Sequence, residues 1–217
     1  MFERLLPAEV HTAEILGEDP TATLLPEEQV LVARAVEKRR REVTHARTCA
    51  RRALRELGHP AAPIPRGAKG EPVWPSGVVG SITHTAGFYA AAVADAGRVR
   101  SVGIDAEVHD RLPDGVLERI AIAEELAWLK ELGRHGGVWW ERMLFSAKES
   151  VYKTWFPLTR RWLGFEDALI TVQPDAGTFA VRLLVDGSTV SGPPLTTLSG
   201  RYLVDNGYVL TAITLPH

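Results

Sequence analysis

Apolar residues recur along the chain at two different periods, and each period predicts a different kind of element. Between Pro26 and Leu57 apolar side chains return every three or four residues, which predicts one long amphipathic helix opened by the proline and ended by Gly58. Helical periodicity returns over 117–132 and 139–155. Runs rich in β-branched residues predict strands at 78–93, 99–104, 169–184 and 202–215.

These predicted helices and strands are interspersed without strict alternation, which favours an α+β fold. Residues 1–25 show neither period and are expected to form an irregular lead-in, and residues 59–80, rich in Pro and Gly, are expected to form a loop of the kind that often holds ligands. A boundary near residue 105 would divide the 217 residues into two comparable lobes, 1–104 and 105–217.

The composition places the chain among ordinary globular proteins. With 45% hydrophobic and 24% charged residues it can bury a sizeable core, and a net charge of -2 argues against a general nucleic-acid-binding protein. The single cysteine, Cys49, is interpreted as a packing residue in a reducing cytosol. Since no stretch approaches the roughly 18 apolar residues of a membrane span, we expect a cytoplasmic protein without membrane contact.

Two carboxylates follow the apolar strand that begins at Val102. Asp105 and Glu107 are two residues apart, so on a strand they project to the same side. Two converging carboxylates repel unless a positive group lies between them, and hard oxygen ligands suit magnesium, to which the Ala106 carbonyl could add another oxygen. Alone, such a pair is more often a solvated turn than a metal site.

A second charged group lies on the helix predicted over 139–155. Glu149 and Lys153 are four residues apart and share a helix face. By itself this spacing is typical of a surface salt bridge worth ~0.3–0.5 kcal/mol. Aromatic residues crowd this patch, however, which indicates charges lying over a packed wall: Phe145, Tyr152, Trp155, Phe156 and Trp162.

The first helix adds candidate anion ligands. Arg39 falls on the apolar stripe between Val36 and Val43, with Arg47 two turns further on, and an inward guanidinium needs an anion such as phosphate. The remaining arginines are interpreted as a solvated face: Arg40, Arg41, Arg51, Arg52 and Arg55. His84 is interpreted either as a buried histidine with its hydrogen bonds satisfied or as a phosphate contact. Metal ligation by His84 is less favoured, because no second His or Cys lies at zinc spacing.

Taken together, the segments 102–107 and 145–153 resemble, in order and separation, the two signature motifs of the 4′-phosphopantetheinyl transferases. The length is similar to that of the Sfp/EntD-type group, and within it the chain resembles the actinobacterial PptT-like enzymes. Four further segments carry the resemblance: Lys38–Glu42, Arg66–Pro72, Gly80–His84 and Phe156–Asp167. It extends from about residue 26 to the C-terminus.

The resemblance implies a fold and a reaction. It implies a monomer of two similar α/β lobes related by a pseudo-twofold, with coenzyme A bound by 1–104, the metal and catalytic residues in 105–217, and the active site between them. The reaction would move phosphopantetheine from coenzyme A to a conserved serine of an apo acyl or peptidyl carrier protein, releasing 3′,5′-ADP. Such carriers serve polyketide, peptide or fatty-acid synthases, in fatty-acid and secondary-metabolite biosynthesis.

The resemblance also implies residue roles. Magnesium, or manganese, would be held by Asp105, Ala106, Glu107 and Glu149. Asp105, Glu149 and Lys153 would be catalytic: Glu149, or a water it orients, as the base with Glu107 competing, and Lys153 acting on the leaving 3′,5′-ADP. The residues implied to contact coenzyme A are Arg39, Arg47, Arg66, Gly67, Ala68, Lys69, Thr83, His84, Asp105, Glu149, Lys153 and Leu163.

Three other functions compete with this one. A coenzyme A-binding module that has lost catalysis predicts a broken acidic set, whereas here the set is complete. A magnesium-dependent phosphodiester hydrolase would need a positioned water in place of the serine, and the sequence leaves it open. A purely structural interaction protein gives no reason for a charge to interrupt the apolar stripe at Arg39.

Overall fold

Two antiparallel sheets and two long helices form the fold in a computed structural model that describes residues 1–133 and 135–217. The first sheet has the order β1-β3-β2, with β1 Val10–Leu16, β2 Val78–Thr85 and β3 Phe88–Asp95. The second has the order β4-β8-β7-β6-β5, with β4 Val99–Val108, β5 Ala168–Gln173, β6 Thr178–Leu183, β7 Thr197–Asp205 and β8 Tyr208–Pro216. The helices are α1 Glu37–Glu56, α2 Leu117–Ile120, α3 Ala123–Leu132 and α4 Trp140–Thr159. The α+β prediction is confirmed.

The layers follow from the alternation of side chains on strand β3. Phe88, Ala90, Ala92 and Ala94 pack against Ile104 and other residues of the second sheet. The intervening residues of β3, Tyr89, Ala91 and Val93, pack against α1. A third core lies between α4 and the second sheet. The order is therefore α1, first sheet, second sheet, α4, which explains why β3 is buried on both faces.

The two sheets meet along their edge strands β2 and β4, and hydroxyl groups join them. The Ile104 N–H donates to Ser81 Oγ at 3.2 Å, and the Ala106 N–H donates to Thr83 Oγ1 at 3.1 Å. Ser81 and Thr83 are two residues apart on β2, so both hydroxyls face the same way. This seam brings the segment containing His84 beside Asp105.

The helix predicted from Pro26 to Leu57 is wrong at its start. Residues Pro26–Val32 form a separate 3-10 helix, and α1 begins only at Glu37, after an extended and largely exposed Val36. The interruption has a physical cause, because the buried Glu28 carboxylate accepts the Leu25 N–H and thereby caps a short turn of its own. The predicted stop is confirmed: Gly58 has φ +85° and the His59 N–H bonds back to the Leu54 carbonyl.

The irregular lead-in is also wrong, because residues 1–25 contain a 3-10 helix, Phe2–Arg4, and the whole of β1. Strand β1 lies at a sheet edge and is only partly buried over most of its length, so its sequence shows no clean alternation. The helix predicted over 117–132 is divided into α2 and α3 at Ala121 and Ile122, where Glu125 caps the Ile122 N–H.

Other predictions about the chain are confirmed. The predicted strands are present as β2 to β8, and the loop after Gly58 contains only an isolated bridge between Arg66 and Pro72 before β2. Cys49 is fully buried in the α1 core, as a packing residue should be. In the part of the chain that the structure describes, no helix has both the length and the apolar character to cross a membrane.

Candidate active site

Asp105 and Glu107 project to the same side of β4, as their spacing predicts, and that side faces α4. Lys153 Nζ donates to Asp105 Oδ1 at 2.7 Å, and Arg142 Nη1 donates to Glu107 Oε2 at 3.1 Å. The close approach of strand and helix depends on Gly103, since a Cβ there would overlap the Ser150 carbonyl oxygen. The signature segment of β4 therefore supplies both carboxylates and the flat surface against which α4 packs.

Asp105 is the most deeply buried carboxylate of this group, at 5% exposure. Its Oδ1 accepts from Lys153 and from Thr83 Oγ1, the latter at 3.2 Å. Its Oδ2 is buried and has no hydrogen-bond partner. Buried polar atoms are nearly always satisfied, so an unpartnered carboxylate oxygen indicates a ligand position.

Burial, and secondly the charge of Asp105, raises the pKa values of Glu107 and Glu149. Burial raises the pKa of Glu107 to about 7, and Asp105 contributes to the rise while Arg142 opposes it. Burial also raises the pKa of Glu149, again with Asp105 contributing and Lys153 opposing. Among the described residues no group of three metal-ligating side chains is already gathered. Instead, Lys153 forms an ion pair with Asp105, and Arg142 forms one with Glu107.

The two lysines of the second signature segment lie on different faces of α4. Lys153 reaches β4, where it donates to the Ile104 carbonyl at 3.0 Å as well as to Asp105, and so does not simply pair with Glu149 along the helix. Lys148 is buried on another face and pairs with Glu125 of α3 at 2.8 Å. Only Lys153 therefore belongs to the site.

The arginines of α1 lie differently from the prediction. Arg39 is exposed near the start of the helix, so its placement on the apolar stripe is wrong, yet its Nη1 lies 2.9 Å from His84 Nε2. Arg47 is 8% exposed, and its Nε is buried without a partner. Burial lowers the pKa of Arg47, Arg39 and Arg66 lower it further, and Glu28 opposes them. A buried guanidinium with an unpartnered N–H, close to two further exposed arginines, suits an anion.

Arg51 corrects the interpretation of a wholly solvated arginine face. Its guanidinium is buried against Glu28 and also donates to the Thr23 carbonyl. Arg52 is partly buried and pairs with Asp19 at 2.6 Å. Arg40, Arg41 and Arg55 are exposed, as predicted.

His84 lies between the arginines and the carboxylates. Burial lowers its pKa, and the charges of Arg39 and Lys153 lower it further, against opposing effects of Glu42 and Asp105. The imidazole is therefore neutral near pH 7. It links the Arg39 side of the site to the Asp105 side.

The loop before β2 closes the other side of the site. The Gly67 N–H bonds to the Glu71 carbonyl, and the Lys69 N–H bonds to the Glu71 carboxylate, with Ala68 in the turn between them. Glu71 also lies 3.5 Å from Arg160 just beyond α4. Loop and helix enclose a cleft of about 510 Å³ that reaches Glu149 and Lys153. Its aromatic walls are Trp74, Tyr152 and Phe156.

Several residues around the site could not be singled out from the sequence. Gly103 and Ser81 act through close packing and a seam bond that only the fold reveals, and nothing in the sequence pairs Arg142 with Glu107. Glu125 did leave a signal, because a glutamate three residues into a helix is typical of a cap. Leu163 packs in the core beside α4, so its contact with the cofactor stays a prediction.

Comparison with known proteins bears on the whole chain. Residues 27–94 match the 4′-phosphopantetheinyl transferase N-terminal domain, and residues 101–211 match the 4′-phosphopantetheinyl transferase superfamily. The 4′-phosphopantetheinyl transferase PptT of Mycobacterium tuberculosis is 54% identical over 97% of this chain and 96% of its own length. Npt of Nocardia iowensis is 48% identical over 98% and 99% of the two chains, and Svp of Streptomyces mobaraensis is 48% identical over 99% and 89%. The chain therefore belongs to the 4′-phosphopantetheinyl transferase superfamily.

Proposed function

We propose that the site between β4, α4 and the β2 edge transfers 4′-phosphopantetheine from coenzyme A to a serine of an apo carrier protein. The observation that carries this proposal is the buried Asp105 oxygen without a partner. Both Asp105 and Arg39 act on His84, and Arg39 in turn lies close enough to Arg47 to lower the pKa of Arg47. The carboxylates could hold a metal ion against the pyrophosphate of such a substrate, and the arginines could bind its phosphate groups.

The donor set fits magnesium, with manganese as an alternative hard cation. Asp105, Glu107 and Glu149 would hold the ion, together with the Ala106 carbonyl. The N–H of Ala106 points to the β2 seam, and the carbonyl of a strand residue points to the same edge as its N–H. When bound, the ion supplies neutralisation of the charge on the pyrophosphate.

Coenzyme A would lie across the seam. Arg39, Arg47 and His84 would contact its phosphates, and Arg66 to Lys69 with Thr83 would line the nucleotide. The cleft has an aromatic wall of Trp74, Tyr152 and Phe156 against which a pantetheine arm could pack, and its lining includes Glu149 and Lys153.

The chain's own residues then move protons. Glu149, or a water it orients, would take the proton from the carrier serine, and the raised pKa of Glu149 suits it to this task. The serine oxygen bonds to the phosphorus beside pantetheine, and the bridging oxygen leaves with 3′,5′-ADP. Lys153, held by Asp105 and the Ile104 carbonyl, would stabilise or protonate that oxygen.

We further propose two lobes with this site between them, acting as a cytoplasmic monomer. The expected boundary at 104/105 falls inside β4, all of which belongs to the second sheet. The two family matches end and begin at residues 94 and 101. A boundary in the turn between β3 and β4 is therefore better supported than one at residue 105.

Intact mass of a carrier protein tests the transfer. The protein is incubated with coenzyme A, magnesium and an apo acyl or peptidyl carrier, with a chelator in the control. A gain of one phosphopantetheinyl group that the chelator prevents is the expected result. No gain with several carriers, while coenzyme A still binds, would favour a binding module, and loss of the arm from a holo carrier would favour a hydrolase.

A further inference from the structure

Two fully buried glutamates occupy the same kind of position in the two parts of the chain. Glu28 accepts the N–H of Leu25 and the N–H of Ile64, both at 3.0 Å. Glu125 accepts the N–H of Ile122 at 3.0 Å and that of Ile170 at 2.8 Å. Each carboxylate thus caps a turn three residues before it and holds a distant backbone segment.

Each glutamate also binds one cation of the following long helix, 23 residues later in both cases. Glu28 pairs with Arg51 of α1, and Glu125 pairs with Lys148 of α4. Lys148 is otherwise bonded to the carbonyls of Ala168 and Phe165. We call these the Glu28 cluster (Leu25, Glu28, Arg51, Ile64) and the Glu125 cluster (Ile122, Glu125, Lys148, Ile170).

The clustered cations lie next to functional residues on their helices. Glu149 follows Lys148 directly, and Arg47 lies one turn before Arg51. A helix turns 100° per residue, so fixing one side chain against the surrounding structure fixes the direction of its neighbours. On the β4 side, the contact at Gly103 sets the distance of α4 from the strand. The Glu125 cluster then sets its rotation.

Stability alone does not account for these pairs. Replacing a buried ion pair by well-packed apolar residues is often neutral or stabilising, because both charges lose hydration on burial. The side chains of Lys148 and Glu125 are 2% and 0% exposed, so the loss of hydration is nearly complete. What a hydrogen-bonded ion pair adds is a fixed orientation of the two side chains, since each side chain has defined partners.

We propose that Glu125 and Lys148 are positioning residues that aim Glu149 and Lys153 at Asp105, and that Glu28 and Arg51 do the same for Arg47 toward coenzyme A. This inference rests on the proposed function. It predicts that the two clusters control different steps, turnover for one and coenzyme A binding for the other.

Two matched double variants test the inference: Glu125→Gln with Lys148→Met, and Glu28→Gln with Arg51→Met. Each removes both charges, so no unpaired buried charge remains. Since misplacement by about 1 Å can lower a rate about a hundredfold, we expect kcat of the first variant to fall roughly tenfold to a hundredfold, with a much smaller change in Kd for coenzyme A because the arginine contacts remain. The second should show the reverse, a higher Kd for coenzyme A with near wild-type kcat at saturation.

Equal changes of kcat and Kd in both variants, or a lower melting temperature with neither changed, would overturn the positioning roles. If a double variant does not fold, Glu125→Asp and Glu28→Asp, which keep the charge and shorten the side chain, must show the same division. Wild-type protein is assayed alongside. Absence of transfer by wild type refutes the proposed function, whereas transfer without the division refutes only this inference.

Discussion

Helices α1 and α4 have the same length, and each carries one cation paired with a buried glutamate, but different residues follow that cation. In α1 the sequence runs Arg51, Arg52 and then Glu56, whereas in α4 the same spacing gives Lys148, Glu149 and Lys153. Arg51 and Lys148 each pair with a buried glutamate. Arg52, however, pairs with Asp19, whereas Glu149 lies close enough to Asp105 for the charge of Asp105 to raise the pKa of Glu149. The scaffold is repeated, and the chemistry is not.

The strands opposite the helices differ in the same way. Leu16 of β1 pairs with Phe88, Val108 of β4 pairs with Tyr208, and the rings of Phe88 and Tyr208 lie 5.2 Å apart. If Leu16 of β1 is aligned with Val108 of β4, the residue three positions earlier is Ala13 in β1 and Asp105 in β4. Strand β1 therefore has no buried aspartate at this position, and the charged residues on the neighbouring helix α1 are mainly arginines.

The largest effect should come from the residues directly after the two glutamate-paired cations. Glu149→Gln removes a carboxylate of the proposed metal site, and we expect kcat to fall by roughly 10²–10³ or more. The matched change in α1, Arg52→Gln, removes only a partly exposed pair worth about 1 kcal/mol or less, so turnover should stay near wild type. Carrier mass over time measures both, and near-normal turnover of Glu149→Gln would remove it from the mechanism.

Gly103→Ala tests how closely α4 must approach β4. The added methyl group would overlap the Ser150 carbonyl oxygen, so the helix must shift. Overpacking of this kind typically lowers the free energy of unfolding by about 1–3 kcal/mol. We expect that loss in urea unfolding, together with lower kcat and little change in coenzyme A affinity. An unchanged kcat would show that the approach of α4 is not needed for catalysis.

Arg47→Met should separate binding from stability. Removing a buried cation that lies near Arg39 and Arg66 relieves repulsion, so the free protein should melt at the same temperature or higher. Loss of charged hydrogen bonds worth about 1.5–3 kcal/mol should raise Kd for coenzyme A by about tenfold to a hundredfold. Arg55→Met, at an exposed position of the same helix, is the control. A less stable variant with normal affinity would contradict an anion-binding role.

The smallest effect is a pKa change at His84. Its lowered pKa means that the unfolded state takes up the proton first as the pH falls. This contribution to stability is thus present above about pH 6.5 and is lost as the pH falls through the folded pKa. Bound phosphate should raise the pKa of His84, while that of His109, just beyond the end of β4, should not respond. NMR titration with and without coenzyme A measures both, and equal shifts would place the phosphates elsewhere.

The sequence allowed the charged residues of the site to be predicted more fully than their contacts. Strand alternation predicted that Asp105 and Glu107 share a side of the strand, and β-branched runs predicted the presence of the later strands, but not their order in the sheet. The separation of the 3-10 helix Pro26–Val32 from α1 could not be predicted, because it depends on the hydrogen bond from the Ile64 N–H to Glu28, far along the chain. The same holds for Arg51, whose burial depends on Glu28. Long-range bonds of this kind leave no periodic pattern.

Calorimetric titration of coenzyme A into the Glu149→Gln and Arg47→Met proteins, each followed by the carrier-mass assay, tests the division between the two lobes most directly. Glu149→Gln should still bind coenzyme A, because the arginine contacts remain, and should leave the carrier in the apo form. Arg47→Met should bind weakly but still load the carrier at saturating coenzyme A. If Glu149→Gln loses coenzyme A binding, or if Arg47→Met cannot load the carrier at any concentration, the two lobes do not divide the work in this way.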